Sequence, residues 1–173
     1  CDQFRSREFD FMISNPPYGK SWKTDLERRG KKEFNDPRFI VSHGGNAEFK
    51  LLTRSSDGQL MFQVNKLQKM KHHTPLGSRI ALVHNGSALF TGDAGQGESN
   101  IRRWVLENDW LEAIIALPLN IFYNTGIAHI WVLANKKAEA RRDKVQLIDA
   151  SGWFQPLRRN LGRRTVNSRM ETS

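Results

Sequence analysis

The stretch FDFMISNPPYGK, residues 9–20, joins a short apolar run to a rigid polar turn. In the apolar run, Phe9 to Ser14, the side chains of Phe11 and Ile13 share one face and Met12 lies on the other. Apolar residues on both faces are typical of a strand that is covered on both sides, as in the sheets of α/β proteins. The stretch therefore predicts a buried strand that ends at Ser14 and leads directly into the turn.

The turn Asn15-Pro16-Pro17-Tyr18 has few conformations open to it. Pro16 restricts Asn15 to extended backbone, and the fixed rings of the two prolines limit the shape of the turn. The carboxamide of Asn15 and the carbonyl of Pro16 are then held as paired acceptors, with the flat ring of Tyr18 beside them. Because open α/β sheets bind ligands beyond the carboxyl ends of their strands, we expect a site for a planar group that carries an NH2. The competing interpretation is a purely structural turn.

Apolar runs of strand length alternate with helical patterns along the rest of the chain, which predicts an α/β layer fold. The predicted strands cover 79–84, 111–117, 129–133 and 145–149, and the predicted helices cover 59–71 and a segment from Ser99 or Asn100 to about Asn108. A polar stretch from Gly19 to Gly58 follows the first strand. It is far longer than an ordinary connection, and loops of that length are commonly functional.

The composition is that of a globular protein. The chain has 173 residues, of which 38% are apolar, and its five Trp and ten Phe argue against disorder. Its single cysteine, Cys1, excludes an intrachain disulfide framework and suits a reducing, cytoplasmic compartment. The sequence contains no apolar run of about 18 residues, so we expect no membrane-spanning segment.

Basic residues exceed acidic ones, 27 to 18, which gives a formal net charge of +9. Such an excess is consistent either with a polyanionic partner such as a nucleic acid or with an ordinary cationic surface. After Pro156 five arginines face only Glu171, which predicts a basic arm or a frayed terminus: Arg158, Arg159, Arg163, Arg164 and Arg169.

Other motifs are incomplete. Gly95 and Gly97 lack the third glycine and the preceding strand of a dinucleotide-binding loop, so we interpret that segment as a surface loop. The tripeptide Gly19-Lys20-Ser21 lacks the leading glycine of a phosphate-binding loop. The five histidines show no metal-ligand spacing, so no metal site is predicted.

The tetrapeptide Asn15 to Tyr18 after a hydrophobic strand resembles the catalytic motif of amino-group DNA methyltransferases, which move a methyl from S-adenosylmethionine to N6 of adenine. The resemblance extends to the modification subunit of type I restriction-modification systems. It is carried by residues 9–20, the helix after Gly58, and the segments 79–87, 92–97 and 117–126. It implies a Rossmann-like sheet that ends in an antiparallel hairpin, here the two strands on either side of Pro118 to Gly126.

The resemblance also implies roles for single residues. Asn15 and Pro16 would accept hydrogen bonds from the adenine NH2 within the motif completed by Pro17, and Asn15 would also border the cofactor, S-adenosylmethionine. Tyr18 would stack on one face of an adenine flipped out of the duplex. Phe122 is the expected second stacking residue and Tyr123 the alternative, although Phe122 also fits a core aromatic at a strand end.

The glycine-rich cofactor loop of this family lies upstream of the motif, so residues 1–150 are interpreted as the carboxyl-terminal half of a catalytic domain. Residues 151–173 would form an aromatic and basic extension. We expect the isolated chain to be inactive and its first strand to leave an exposed edge that invites self-association. The implied partners are double-stranded DNA and the specificity and restriction subunits. The alternatives are a catalytically silent nucleic-acid or subunit-binding fragment and a protein-glutamine methyltransferase, which uses the same tetrapeptide.

Overall fold

A computed structural model describes the backbone of residue 4 and of residues 6–28, 36–122, 126–161 and 164–168, with side chains described as far as residue 158. The elements are β1 (Phe11–Ser14), α1 (Lys23–Arg28), β2 (Ile40–His43), β3 (Asn46–Lys50), α2 (Gln59–Leu67), β4 (Arg79–Asn85), α3 (Gly97–Glu107), β5 (Leu111–Ala116), β6 (Ala128–Ala134), β7 (Gln146–Asp149), β8 (Phe154–Leu161) and β9 (Arg164–Ser168). Short 3-10 turns cover Pro37–Phe39, Gly86–Leu89 and Glu139–Arg141.

The central sheet has five strands in the order β1-β4-β6-β5-β7. β1 pairs with β4 in parallel, and β5 pairs with β7 in parallel. β6 lies between β4 and β5 and is antiparallel to both. The α/β fold class and the antiparallel hairpin of the last strands are therefore confirmed. The pairing also places the carboxyl ends of β1, β4 and β5 at the same end of the strands, which we call the site edge of the sheet.

The core lies on the face of the sheet that α2 and α3 cover. Leu60, Val64 and Leu67 of α2 are buried, as the helical spacing predicts, and they join the cluster that contains Ile80 and Leu82 of β4. From α3 the buried apolar residues are Ile101, Trp104 and Val105, and Glu98 is buried as well. Because each helix buries one apolar stripe and exposes the rest, the two helices close a single face of the sheet.

The prediction that β1 is buried on both sides is wrong. Met12 packs against the core, but Phe11 and Ile13 on the other face are 71% and 86% exposed. The sequence pattern reports that both faces are apolar, whereas burial depends on what covers them. Within the described residues α2 covers the Met12 side, and β1 forms an edge of the sheet.

The stretch from Gly19 to Gly58 contains secondary structure of its own, so its interpretation as a long polar loop needs correction. It includes α1 and an antiparallel hairpin of β2 and β3. Phe39, Phe49 and Leu51 from this stretch are buried in the core. Only Phe49 and Leu51 are two residues apart, as in a strand, and Phe39 lies ten residues before Phe49, so the stretch shows no sustained period in the sequence.

The described part of the tail is paired rather than frayed, whereas Arg163 and Arg169 of the predicted basic arm lie outside the described residues. β8 and β9 pair as an antiparallel hairpin after β7. Trp153 and Phe154, at the start of this hairpin, are exposed. Among the described residues, no helix is both long and apolar enough to cross a membrane.

α3 begins at Gly97, two or three residues before the predicted start at Ser99 or Asn100. The backbone of Gly97 lies against the carbonyl of Leu52, and a Cβ built on it would come 1.5 Å from that oxygen. A glycine is therefore required where α3 meets the segment that follows β3. Its role in packing explains Gly97 without a ligand.

We expect Gly97→Ala to lower the free energy of unfolding by about 3 kcal/mol, since the backbone of Leu52 cannot move as a flexible side chain would. Gly152→Ala is the matched control, because a Cβ at Gly152 meets nothing within 4 Å, and it should change stability by less than about 0.5 kcal/mol. Urea unfolding followed by tryptophan fluorescence measures both. Equal stability of the two variants would contradict the packing role of Gly97.

Candidate active site

The turn from Asn15 to Tyr18 lies at the carboxyl end of β1, as predicted. Asn15 and Pro17 are exposed, Pro16 is buried and Tyr18 is half-buried. Ser14 pairs with Leu82 of β4, so the turn emerges beside the last residues of β4. The rigid turn is thus anchored by Pro16 and presents Asn15 to solvent at the edge where the carboxyl ends of the strands meet.

The hydroxyl of Tyr18 donates a hydrogen bond to Oδ1 of Asn15. This contact links the two ends of the turn and holds the carboxamide of Asn15 in one orientation. An amide oxygen has two lone pairs, so Asn15 keeps the capacity to accept a second hydrogen bond. Stacking of Tyr18 on a ligand stays a prediction.

The turn after β4 lies next to the Asn15 turn across the sheet edge. The side chain of Asn85 accepts a hydrogen bond from the amide of Ser87 at 3.0 Å, which fixes a tight turn. Gly86 packs against the start of β6, where a Cβ would come within 3.3 Å of Ile127 Cγ2. The Asn85 to Ser87 turn therefore fills the space between the Asn15 turn and the β5–β6 connection.

Phe122 lies on the β5–β6 connection and is half-buried. This connection follows the carboxyl end of β5, so it shares the sheet edge with Asn15. With strands about 4.8 Å apart, β1 and β6 are separated by about 10 Å. Phe122 therefore lies at the same end of the sheet as Tyr18, as a pair of stacking residues would require. Tyr123 lies outside the described residues. The stacking role of either residue stays a prediction.

The segment after Tyr18 is hydrogen-bonded to residues 54–57, the strip of chain just before α2. The amide of Gly19 donates to Asp57 Oδ1 at 3.2 Å, and the hydroxyl of Ser21 donates to the carbonyl of Ser55 at 3.0 Å. The indole of Trp22 donates to the carbonyl of Arg54 at 3.0 Å. Sequence reasoning missed this strip, although an Asp-Gly pair directly before a helix is a common turn and capping signal.

The basic charge near the site comes from the residues between the Asn15 turn and β2. Lys20, Lys23 and Arg28 are exposed. Arg38 is already engaged, because its guanidinium contacts the carboxylate of Asp36 at 2.6 Å and Asn65 Oδ1 at 2.9 Å. Among the described residues between Tyr18 and β2, three cations are thus open to solvent, whereas Arg38 forms structural contacts.

An apolar cavity of about 260 Å³ opens beside α2 and is separate from the Asn15 turn. Trp22, Phe39, Met61 and Phe62 line it, and none of its lining residues belongs to the predicted site. The predicted site is an open edge with polar groups.

His84 is buried on β4 directly before the Asn85 turn. Its Nε2 is 2.8 Å from Gln63 Oε1, and its ring packs edge-on against Trp131. Burial, together with the nearby His129, lowers the pKa of His84 from 6.5 to about 4. Burial also lowers the pKa of His129. Both imidazoles are therefore neutral at pH 7, so this layer beneath the site contributes no charge.

The sequence profile of the family described as N-6 DNA Methylase matches residues 1–170 of this chain. The chain belongs to this family. The resemblance inferred from the tetrapeptide and its accompanying segments is thereby confirmed.

This chain is similar to two type I restriction enzyme methylase subunits of Methanocaldococcus jannaschii. The MjaIX subunit is 26% identical over 160 residues, which is 91% of this chain and 26% of the relative. The MjaVII subunit is 39% identical over 156 residues, 86% of this chain and 23% of the relative. The chain thus spans about a quarter of the length of these curated relatives.

The fold agrees with that of a solved type I restriction-modification methyltransferase subunit from Streptococcus thermophilus. The TM-score is 0.66 at 24% identity, with 96% of this chain and 30% of that chain covered. This likeness confirms the predicted fold, and the coverage shows that the fold match involves less than a third of the larger subunit.

We expect the pH dependence of stability to report the buried, neutral state of His84. Since the folded pKa of about 4 lies below the unfolded value of 6.5, protonation favours the unfolded chain. The difference corresponds to about 3 kcal/mol of stability that is present above pH 6.5 and is lost as the pH falls toward 4. Urea unfolding at a series of pH values measures this loss.

His84→Gln removes the titrating ring, so the loss of about 3 kcal/mol of stability between pH 6.5 and pH 4 should disappear in this variant. His73→Gln is the matched control, because His73 is exposed, and this variant should lose stability with pH as the unmodified chain does. The account of His84 fails if the His84→Gln variant shows the same pH dependence as the unmodified chain.

Proposed function

We propose that the protein containing this chain transfers a methyl group from S-adenosylmethionine to N6 of an adenine in DNA, as the modification subunit of a type I restriction-modification system. The observation that supports this most strongly is the Asn15 to Tyr18 turn, exposed at the carboxyl end of β1 in a chain of the N-6 DNA methylase family. The chemistry of an exocyclic amino group explains why those side chains are suitable.

The lone pair of an adenine amino nitrogen is delocalised into the ring, so the nitrogen is a poor nucleophile. Two acceptors bonded to its hydrogens favour a pyramidal nitrogen and stabilise the positive charge that develops on it. Asn15 Oδ1 and the carbonyl of Pro16 are our proposed acceptors. The rigidity of the turn supports this assignment, because fixed acceptors need not reorganise during the reaction.

The target nitrogen is inaccessible in a stacked duplex, so the adenine has to leave the helix. We propose that Tyr18 replaces the lost stacking on one face and that Phe122, or alternatively Tyr123, replaces it on the other. The half-buried positions of Tyr18 and Phe122 at one sheet edge support this pairing.

S-adenosylmethionine supplies the methyl group when it is bound. Among the described residues, only Asn15 is placed to contact S-adenosylmethionine, at the margin of its binding site. Asn15 is exposed at the strand end, whereas Gly97, the first residue of α3, is packed against the backbone of Leu52. We therefore propose that Asn15 borders the methyl donor and that the remaining cofactor contacts come from outside this chain.

We propose that residues 1–150 form the carboxyl-terminal half of the catalytic domain and residues 151–173 an extension. The coverage of the relatives supports only the interpretation of the chain as part of a longer protein, since the chain spans about a quarter of their length. The exposed Phe11 and Ile13 support it further, because they leave an apolar face on β1 at the sheet edge. In isolation that edge should promote self-association.

The proposed partners are double-stranded DNA and the specificity and restriction subunits, in the cytoplasm. The exposed Lys20, Lys23 and Arg28, which follow the Asn15 turn in the sequence, would neutralise DNA phosphates. A protein-glutamine methyltransferase could use the same tetrapeptide, but membership of a DNA methylase family favours DNA. A catalytically silent binding module would have the same positive charge but no methyl-transfer activity. A methyl-transfer assay distinguishes the two.

In the full-length protein we expect Asn15→Ala to lower the rate of adenine methylation by about 100-fold or more, because it removes one of two fixed acceptors. Affinity for DNA should stay within about threefold, since Asn15 is not a cation. Asn46→Ala, at an exposed asparagine in the β2–β3 hairpin, is the matched control. Transfer of labelled methyl groups to DNA measures the rate, and filter binding measures the affinity.

Unchanged methylation by the Asn15→Ala variant would remove the catalytic role of the turn. Loss of methylation together with an equal loss of DNA affinity would favour the silent binding module. Methyl transfer to a glutamine side chain instead of to adenine would favour the protein-directed alternative.

For the isolated 173-residue chain, we expect no micromolar binding of S-adenosylmethionine by calorimetry, because most cofactor contacts lie elsewhere. Sedimentation equilibrium should show oligomers. Ile13→Lys should shift them toward monomer, since a lysine on an edge strand opposes pairing. Micromolar cofactor binding by the chain alone would overturn the proposed division of the catalytic domain.

A further inference from the structure

Gln59, the first residue of α2, connects the two turns of the proposed active site. Its side chain is only 3% exposed although it is polar. Such a buried amide is stable only if its donors and acceptor are all paired. In Gln59 they are paired with groups from two segments that are far apart in sequence.

Toward the Asn15 turn, Gln59 is coupled through Asp57. Nε2 of Gln59 donates to Asp57 Oδ2 at 2.7 Å, and the amide of Gln59 donates to Asp57 Oδ1 at 3.1 Å. Oδ1 of the same carboxylate accepts the amide of Gly19, the residue directly after Tyr18. The carboxylate of Asp57 is therefore shared between the start of α2 and the end of the Asn15 turn.

Toward β4, Gln59 contacts the turn directly. Its Oε1 accepts the amide of Asn85 at 3.1 Å, and its Nε2 donates a second hydrogen bond to the hydroxyl of Ser87 at 3.0 Å. The side chain of Asn85 in turn accepts the amide of Ser87. One amide group thus uses both of its donor hydrogens and its oxygen to join the two turns.

We propose that Gln59 is a positioning residue that, through Asp57, sets the Asn15 turn against the Asn85 to Ser87 turn and so fixes the opening that receives the adenine. This inference rests on the proposed function and deepens it. Gln59 does not touch the reacting atoms. It acts by holding Gly19, and hence Tyr18 and Asn15, in register with the end of β4.

The buried amide also explains why a charge or an apolar side chain would not serve at this position. A carboxylate would offer no donors to Asp57 and Ser87 and would face a second carboxylate. An apolar side chain would leave the amide of Asn85 and the carboxylate of Asp57 without this partner. Displacing a reacting group by about 1 Å can cost about 100-fold in rate, so small shifts of the turn are sufficient to slow transfer.

The test uses the full-length protein and single-turnover methyl transfer to DNA. In this measurement the rate constant reports the geometry of folded sites, and the amplitude reports how many sites are folded. We expect Gln59→Met, which keeps the length of the side chain, to lower the rate constant by about 10- to 100-fold. DNA affinity should be unchanged within about threefold, because no phosphate contact is altered.

Gln68→Met is the matched control. Gln68 lies directly after the same helix, is exposed, and makes a longer hydrogen bond of 3.3 Å to the carbonyl of Arg38. Its rate constant should equal that of the unmodified protein. Ser87→Ala is a milder second variant that removes one of the four hydrogen bonds of Gln59. It should slow transfer by about three- to tenfold, even if Gln59→Met fails to fold.

A purely structural role for Gln59 would lower the amplitude and the melting temperature while leaving the rate constant of both variants at the unmodified value, and that result would overturn the inference. The proposed function is tested separately by the unmodified protein. If the unmodified protein methylates adenine and Gln59→Met and Ser87→Ala do so at the same rate constant, the function stands and the positioning role does not.

Discussion

The parallel pairing of β1 with β4 is the constraint on which the rest of the site depends. Ser14 lies opposite Leu82, so the chain leaves β1 beside the end of β4. Because both strands run in the same direction, the Asn15 and Asn85 turns open on the same edge. β6 enters between β4 and β5 in the opposite direction, which brings the β5–β6 connection to that edge as well. A parallel pair thereby assembles three separate segments of sequence at one place.

The helices give this edge its rigidity. α2 and α3 cover a single face of the sheet, and the close approach of Gly97 to Leu52 ties α3 to the segment that leads into α2. The start of α2 then reaches the site edge, where the strip before it holds the chain after Tyr18. The opposite face of β1 is left exposed at Phe11 and Ile13. The site therefore lies between the packed core on one face of β1 and the exposed apolar side chains on its other face.

Much of this could be predicted from particular residues. The alternation in Arg79 to Asn85 and the spacing of Leu60, Val64 and Leu67 locate β4 and α2, because amphipathic periods are local properties. The Asn15 turn could be placed at a strand end for the same reason. The burial of β1 could not be predicted, since it depends on a covering layer. Nor could the hairpin of β2 and β3, because Phe49 is the only fully buried residue of the two strands, so no alternation of apolar residues marks them. In the sequence Gln59 is simply one residue of a helix, and only the fold shows that its amide joins two distant turns.

The central claim is that the Asn15 turn receives the amino group of an adenine. A structure of the full-length protein bound to DNA and to a non-reactive analogue of S-adenosylmethionine tests this directly. The account predicts an adenine outside the duplex, with N6 within hydrogen-bond distance of Asn15 Oδ1 and of the carbonyl of Pro16. The distance expected for each bond is about 3 Å. An extruded adenine whose N6 is bound by other residues, and by neither Asn15 nor Pro16, would contradict it.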